Sequence, residues 1–299
     1  MNNTYTVAGF SFTIEAAEEA LARMTNYEPF KVNDAQCTGH NAPLLFTLQA
    51  EAVEAIGEQE KEWQEVFTDT SDDDMPRIEV YRAGTDWILR ESMYKTSPIC
   101  LQIRATEDFS QAHLLYATND ARFALDNAAM LLYAFTTADK QLLEMHASVT
   151  VRGDRAYMFL GKSGTGKSTH SQQWMKAFDD AWLLNDDNPI LRIENRDGEE
   201  QVWVYGSPWS GKTPCYKNDS RRVGGIVKLA QAPHNEIRPL RLPEAYAYML
   251  SSSSGLKIEP KMMDALYETI AKTIQLVQVY GMECLPNPEA AEVCYEGMV

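Results

Sequence analysis

The residues Gly161-Lys162-Ser163-Gly164-Thr165-Gly166-Lys167-Ser168-Thr169 match G-x-x-x-x-G-K-[ST], a spacing suited to holding phosphate. Gly161, Gly164 and Gly166 permit positive φ angles and close backbone approaches that a side chain would block. Amide N–H groups then converge on one concavity, and a helix starting near Gly166 adds its positive dipole end. In such a loop Lys167 reaches the β- and γ-phosphates of a nucleotide, and the Ser168 hydroxyl binds Mg²⁺.

A second group follows at Asn185-Asp186-Asp187. Two adjacent carboxylates downstream of a phosphate loop suit metal-assisted phosphoryl transfer. One can hold Mg²⁺ while the other accepts the proton of an attacking hydroxyl. Neighbouring side chains at a strand end point in different directions, so Asp186 and Asp187 need not share a role. His146, upstream, reads either as a satisfied core histidine or as a group near the phosphates.

Gly206-Ser207-Pro208-Trp209-Ser210-Gly211-Lys212-Thr213 fits the same expression, yet it is a poor cradle. Pro208 offers no N–H, Trp209 is bulky, and Pro214 disrupts the next turn. The stretch remains a candidate substrate or phosphate loop through Lys212, with Arg221 and Arg222 just beyond as a phosphate clamp.

The elements that must position these residues are legible nearby. Arg155 to Leu160 predicts a strand entering the first loop, paired with Met145 to Val151 across a turn at Arg152-Gly153-Asp154. After the loop, Trp174, Met175, Ala177 and Phe178 fall on roughly one helical face. Trp182 to Leu184 predicts a short strand ending at the aspartates. Ile190 to Ile193, Gln201 to Tyr205 and Val223 to Leu229 predict further strands. Helices are expected at Pro243 to Leu250 and Pro260 to Leu276, the latter with a core stripe of Met263, Leu266, Ile270 and Ile274. Ser251 to Gly255 reads as a mobile loop.

Upstream, Thr6 to Ile14 predicts an opening strand, Glu15 to Met24 a short helix and Leu44 to Leu48 another strand. Arg77 to Arg82, Trp87 to Glu91 and Ile99 to Ile103 predict a meander, to which His113 to Ala117 adds a strand. Asp69, Asp72, Asp73 and Asp74 crowd an acidic loop without the glycine or closing glutamate of a calcium loop. A helix over Arg122 to Phe135, capped by Asn119 or Asp120, is placed at the start of the second domain. The expected division is therefore 1–118, a smaller and mainly antiparallel α+β domain, and 119–299, an α/β P-loop domain.

Composition narrows the partners. The chain has 299 residues, 44% of them apolar, and a formal charge of −16. That charge argues against nucleic acid or an anionic membrane as the main partner. It is uneven: up to Glu144 there are 10 Lys and Arg against 24 Asp and Glu, and afterwards 17 against 19. The near-neutral part carries the phosphate loop and suits a polyanion. Met1-Asn2-Asn3-Thr4 opens no apolar signal segment, and Ala128 to Phe135 falls short of the roughly 20 residues of a membrane span. Cys37, Cys100, Cys215, Cys284 and Cys294 form no C-x-x-C pair and read as free thiols. The expectation is a cytoplasmic protein, with its oligomeric state, homo-oligomer included, left open.

His146, the loop Gly161 to Ser168 and the pair Asp186-Asp187, in that order and spacing, resemble the catalytic domain of HPr kinase/phosphorylase. That domain shares its nucleotide-binding core with ATP-dependent phosphoenolpyruvate carboxykinase, whose loop Ser163 to Thr169 resembles more nearly. The resemblance spans roughly His146 to Leu229 and implies an active-site role for His146 and proton acceptance by Asp187. The family's metal-binding glutamate motif has no counterpart; Gly206 to Thr213 takes that region. ATP and Mg²⁺ are the implied cofactors. The implied activity is a kinase, or phosphotransferase, acting on a protein serine or a small metabolite. A non-catalytic ATP-binding regulatory switch and a carboxykinase-like reaction are the alternatives.

Overall fold

The computed structural model describes residues 1–32, 42–68, 77–211 and 213–299. The acidic loop with Asp69, Asp72, Asp73 and Asp74 lies outside the described residues, as do Cys37 and Lys212. The fold is mixed α/β with two sheets, and it divides into two compact units, Met1–Thr136 and Thr137–Val299.

The first unit contains β1 (Asn2–Val7), β2 (Phe10–Glu15), α1 (Glu18–Ala22), β3 (Leu44–Val53), β4 (Gln64–Thr68), β5 (Arg77–Ala83), β6 (Asp86–Ser92), β7 (Ile99–Ala105), β8 (Gln111–Ala117) and α2 (Ala121–Thr137). Its sheet runs β1-β2-β3-β8-β7-β6-β5-β4. The meander is present, but the β2–β3 and β3–β8 pairs are parallel, so the sheet is mixed. The expected single strand Thr6 to Ile14 is instead a hairpin, because Ala8 and Gly9 both take positive φ and reverse the chain. Helix α2 belongs to this unit, not to the one that follows. Its Tyr133 hydroxyl donates to the Val7 carbonyl, and the Tyr133 and Phe135 rings meet Phe12 and Phe109.

The second unit contains β9 (Leu142–Glu144), β10 (Ala147–Arg152), β11 (Arg155–Leu160), α3 (Lys167–Ala177), β12 (Ala181–Asp187), β13 (Ile190–Arg196), β14 (Glu199–Tyr205), β15 (Ser220–Gln231), β16 (Glu236–Pro239), α4 (Leu242–Ser252), α5 (Pro260–Leu276), β17 (Val279–Cys284) and α6 (Pro288–Glu296). Strand β11 pairs antiparallel with β10 and parallel with β15, and β10 also pairs with β12. The ends of β11 and β12 are thereby held on either side of the start of β10.

Alternation along β11 divides the core between the two faces of the sheet. Tyr157 and Phe159 pack with Trp174 of α3 and with Ala290, Ala291 and Cys294 of α6. Ala156, Met158 and Leu160 face the other way, toward Met249 of α4 and toward Leu266 and Ile270 of α5. The expected α5 stripe is core, as Met263 and Ile274 also pack against it. Met175, by contrast, is exposed.

The serine run at the end of α4 is not the mobile loop its composition suggests. Ser252 and Ser253 are buried, the Ser252 carbonyl accepts from His146 N–H at 2.6 Å, and Ser254 N–H donates to the Glu144 carbonyl. With Met145 bridged to Ser253 and its N–H bonded to the Pro189 carbonyl, residues 144–146 are gripped from both sides.

Candidate active site

Strand β11 runs into the glycine-rich loop, and α3 begins at Lys167 with Gly166 as its N-cap. Gly166 sits at φ +105° and Gly164 at +77°, angles that an L side chain would strain, which accounts for glycine at both places. Helix α3 is fixed from beneath. Ser171 shares a 2.6 Å hydrogen bond with Ser148 of β10, and Trp174, whose indole donates to His170 Nε2 within the helix, packs on Phe159 of β11.

Lys167 turns back over the loop. Its Nζ donates to the Gly161 carbonyl at 2.9 Å and lies 2.8 Å from His146 Nε2. Burial pushes the Lys167 pKa down, and the negative charges of Asp187 and Asp186 partly restore it. The other ring nitrogen of His146, Nδ1, is 3.1 Å from Asp187 Oδ1. With the ammonium donating to Nε2, the ring proton on Nδ1 is directed at the carboxylate. Asp187, His146, Lys167 and the Gly161 carbonyl thus form one unbroken chain. His146 and Asp187 are each partly open to solvent, so the chain lies where a ligand can reach it.

The second glycine-containing stretch closes on the same place. Gly211 N–H donates to the Asp186 carbonyl at 2.6 Å, and the Ser210 hydroxyl reaches the same oxygen. A Cβ on Gly211 would stand 3.2 Å from the Asp187 side chain, close enough that one of them would have to shift by a few tenths of an ångström. Asn185, fully buried, holds the stretch: its Nδ2 is shared among Ser207 Oγ and the carbonyls of Ser207 and Trp209.

Arg221 and Arg222 are not at this site. Arg222 stands opposite Arg155 at the start of β11, whereas the glycine-rich loop leaves from Leu160, opposite Lys228. That separation is about 16 Å along the strand. Arg221 is instead bound to Asp219 and to the Ser220 carbonyl. Neither arginine is placed to clamp a phosphate held by the glycine-rich loop, as the sequence had suggested.

Two residues escaped sequence reading. Asn185 stood beside the aspartates with no signal of its strapping role. Glu144, opposite Ile190 on β13, has a fully buried carboxyl, and neither oxygen makes a well-formed hydrogen bond. Burial pushes its pKa up to about 8; Ser254 opposes this, and the negative charge of Asp187 adds to it. Nothing in the local sequence around Glu144 marks it.

No protein-family model and no curated protein matches the chain. Among solved structures it is similar to the Hpr(Ser) kinase/phosphatase from Coxiella burnetii. The match has a TM-score of 0.30 at 11% identity and covers 50% of this chain and 87% of that one. This is a distant structural relationship.

The described cysteines Cys100, Cys215, Cys284 and Cys294 are free thiols. No helix of the described residues is long and apolar enough to cross a membrane.

Proposed function

We propose that the second unit binds ATP with Mg²⁺ in a P-loop and transfers the γ-phosphoryl group to a hydroxyl, on a protein serine or a small metabolite. The observation that carries this reading is the chain from Asp187 through His146 to Lys167 at the glycine-rich loop. It joins a proton acceptor to a phosphate-binding cation.

In this reading the loop amides of 161–169 hold the phosphates, and Lys167 leaves the Gly161 carbonyl to neutralise charge on the transferring group. Among the described residues no cluster of three or more acidic, His or Cys side chains could hold a metal. Asp186 and the Ser168 hydroxyl offer oxygen donors of the kind Mg²⁺ takes alongside nucleotide phosphates and water. Bound there, the ion would offset the negative charge of the phosphates. Asp187 accepts the proton of the attacking hydroxyl as its oxygen bonds to the γ-phosphorus. The bond from that phosphorus to the bridging oxygen breaks, and ADP leaves. His146, donating from Nδ1, keeps the Asp187 carboxylate oriented. The closeness of Gly211 to Asp186 and Asp187 supports a substrate-loop role for residues 206–211.

Radiolabel transfer from γ-labelled ATP, in a lysate of the source cells with the purified chain added, tests the reading. Wild type should label an acceptor that Lys167→Ala does not, and Lys167→Ala should lose most ATP affinity. Tight ATP·Mg²⁺ binding with no labelled product from any acceptor mixture would replace this reading with a nucleotide-operated switch.

A further inference from the structure

A cleft of about 480 Å³ lies beside the glycine-rich loop. That volume is within the range of small-molecule sites. One wall is Thr165, Gly166 and Thr169, where the loop passes into α3. Facing it are Ala232, just past the end of β15, and Leu285 and Pro286, just past β17. Thr165 and Gly166 belong both to the loop and to the cleft, so a ligand filling one continues into the other.

The cleft differs from the loop in one chemical respect: no side chain lining it is charged. Of its two titratable groups, Cys284 is kept a thiol because burial raises its pKa. His170 is kept neutral because burial pushes its pKa down to about 4. Its Nε2 already accepts from the Trp174 indole, so its proton resides on Nδ1. An uncharged cleft with apolar walls is a poor receptacle for phosphate, since nothing there offsets the lost hydration of an anion. It suits a flat ring with apolar faces and a polar edge.

We infer that this cleft takes the heteroaromatic base of the nucleoside triphosphate whose phosphates the loop holds. The inference rests on the proposed nucleotide function. Gln231 links the two halves of the site. It lines the cleft, and its Nε2 donates to the carbonyls of Gly164 at 3.3 Å and Thr165 at 3.4 Å. A base seated against Gln231 therefore bears on the backbone of the loop that carries the phosphates.

Calorimetric titrations of the full chain with ATP and with inorganic tripolyphosphate, both with Mg²⁺, separate the two halves. Wild type should bind ATP at least about tenfold more tightly, because only ATP buries an apolar ring. Ala232→Trp fills the cleft from a half-buried position, and Leu285→Asp places a charge on its wall. Each should bring ATP affinity down toward that of tripolyphosphate, while tripolyphosphate affinity stays within about twofold. Equal wild-type affinity for the two ligands would overturn the base site and leave the phosphate loop standing. Folded variants that keep full ATP preference would do the same. A wild-type chain that binds neither ligand would remove both readings. The wild-type comparison needs no variant, so it decides the matter even if a substitution prevents folding.

Discussion

His146 Nδ1 lies 3.1 Å from Asp187 Oδ1, and its opposite nitrogen lies 2.8 Å from the Lys167 ammonium. One imidazole therefore bridges the Lys167 ammonium and the Asp187 carboxylate. Under the proposed function, that arrangement leaves Lys167 to meet a phosphate and Asp187 to accept a proton. It also explains why residues 144–146 are gripped so firmly by Ser252 to Ser254 and by Pro189, since a small shift would uncouple both ends.

Asp187→Asn tests the acid–base half of this arrangement. Asparagine keeps the size of the side chain and still accepts from His146 Nδ1, but it takes no proton. ATP·Mg²⁺ affinity should change little, and phosphoryl transfer should fall by roughly 10²–10⁴-fold, the usual worth of a general base. Transfer at the parental rate, measured once an acceptor is known, would reduce Asp187 to a structural turn residue.

Gly211→Ala probes position rather than chemistry. The added methyl would stand 3.2 Å from the Asp187 side chain, a contact relieved only if one of them moves by a few tenths of an ångström. Misplacement on that scale in front of a reacting atom is costly, about 10²-fold for a full ångström. We expect transfer to fall by about tenfold with ATP affinity unchanged and the melting temperature close to wild type. Unchanged transfer would mean that residues 206–211 do not set the carboxylate's position.

Glu144 supplies a pH dependence whose sign is fixed. Its folded pKa, about 8, lies above the ordinary carboxylate range it has when unfolded. The folded state therefore holds the proton more tightly. The stability this gives is fully present below the unfolded pKa and is lost as pH rises toward 8. Glu144→Gln stays neutral throughout. Its melting temperature should gain on wild type steadily as pH is raised from 5 to about 8 and then run parallel. Parallel curves across that whole range would show that Glu144 is already ionised in the folded state.

The parts of the site that were legible in the sequence are local ones. Strand, glycine-rich loop and helix follow one another within Arg155–Ala177, so spacing and composition predict them together. Asp186-Asp187 marks the end of β12 for the same reason. What escaped depends on long-range placement. Arg221 and Arg222 look close to the site in sequence, yet the parallel pairing of β15 with β11 puts them at the far end of the strand. Ser251 to Ser254 has the composition of a free loop, and only its pairing with residues 144–146 reveals a clamp. The Ala8-Gly9 turn was missed because alanine rarely takes positive φ and so gives little turn signal.

Helix α2 yields the last prediction. Its apolar face was evident in the sequence, but the unit that covers it was not. Ala124, Leu125, Ala128 and Leu132 are fully buried, and Asp126, Tyr133 and Phe135 contact Asn26, Val7 and Phe109 of the first unit. A fragment beginning at Asn119 would carry this helix without the surface that covers it. Exposed apolar faces of that kind drive association. A fragment of residues 137–299 should run as a discrete species on size exclusion, melt cooperatively and bind ATP. The fragment of residues 119–299 should aggregate or bind hydrophobic dyes. The comparison is direct because the two differ only by the helix and its cap. If the longer fragment is the more soluble and the more stable of the two, α2 belongs with the second unit after all, and the division at Thr136 is misplaced.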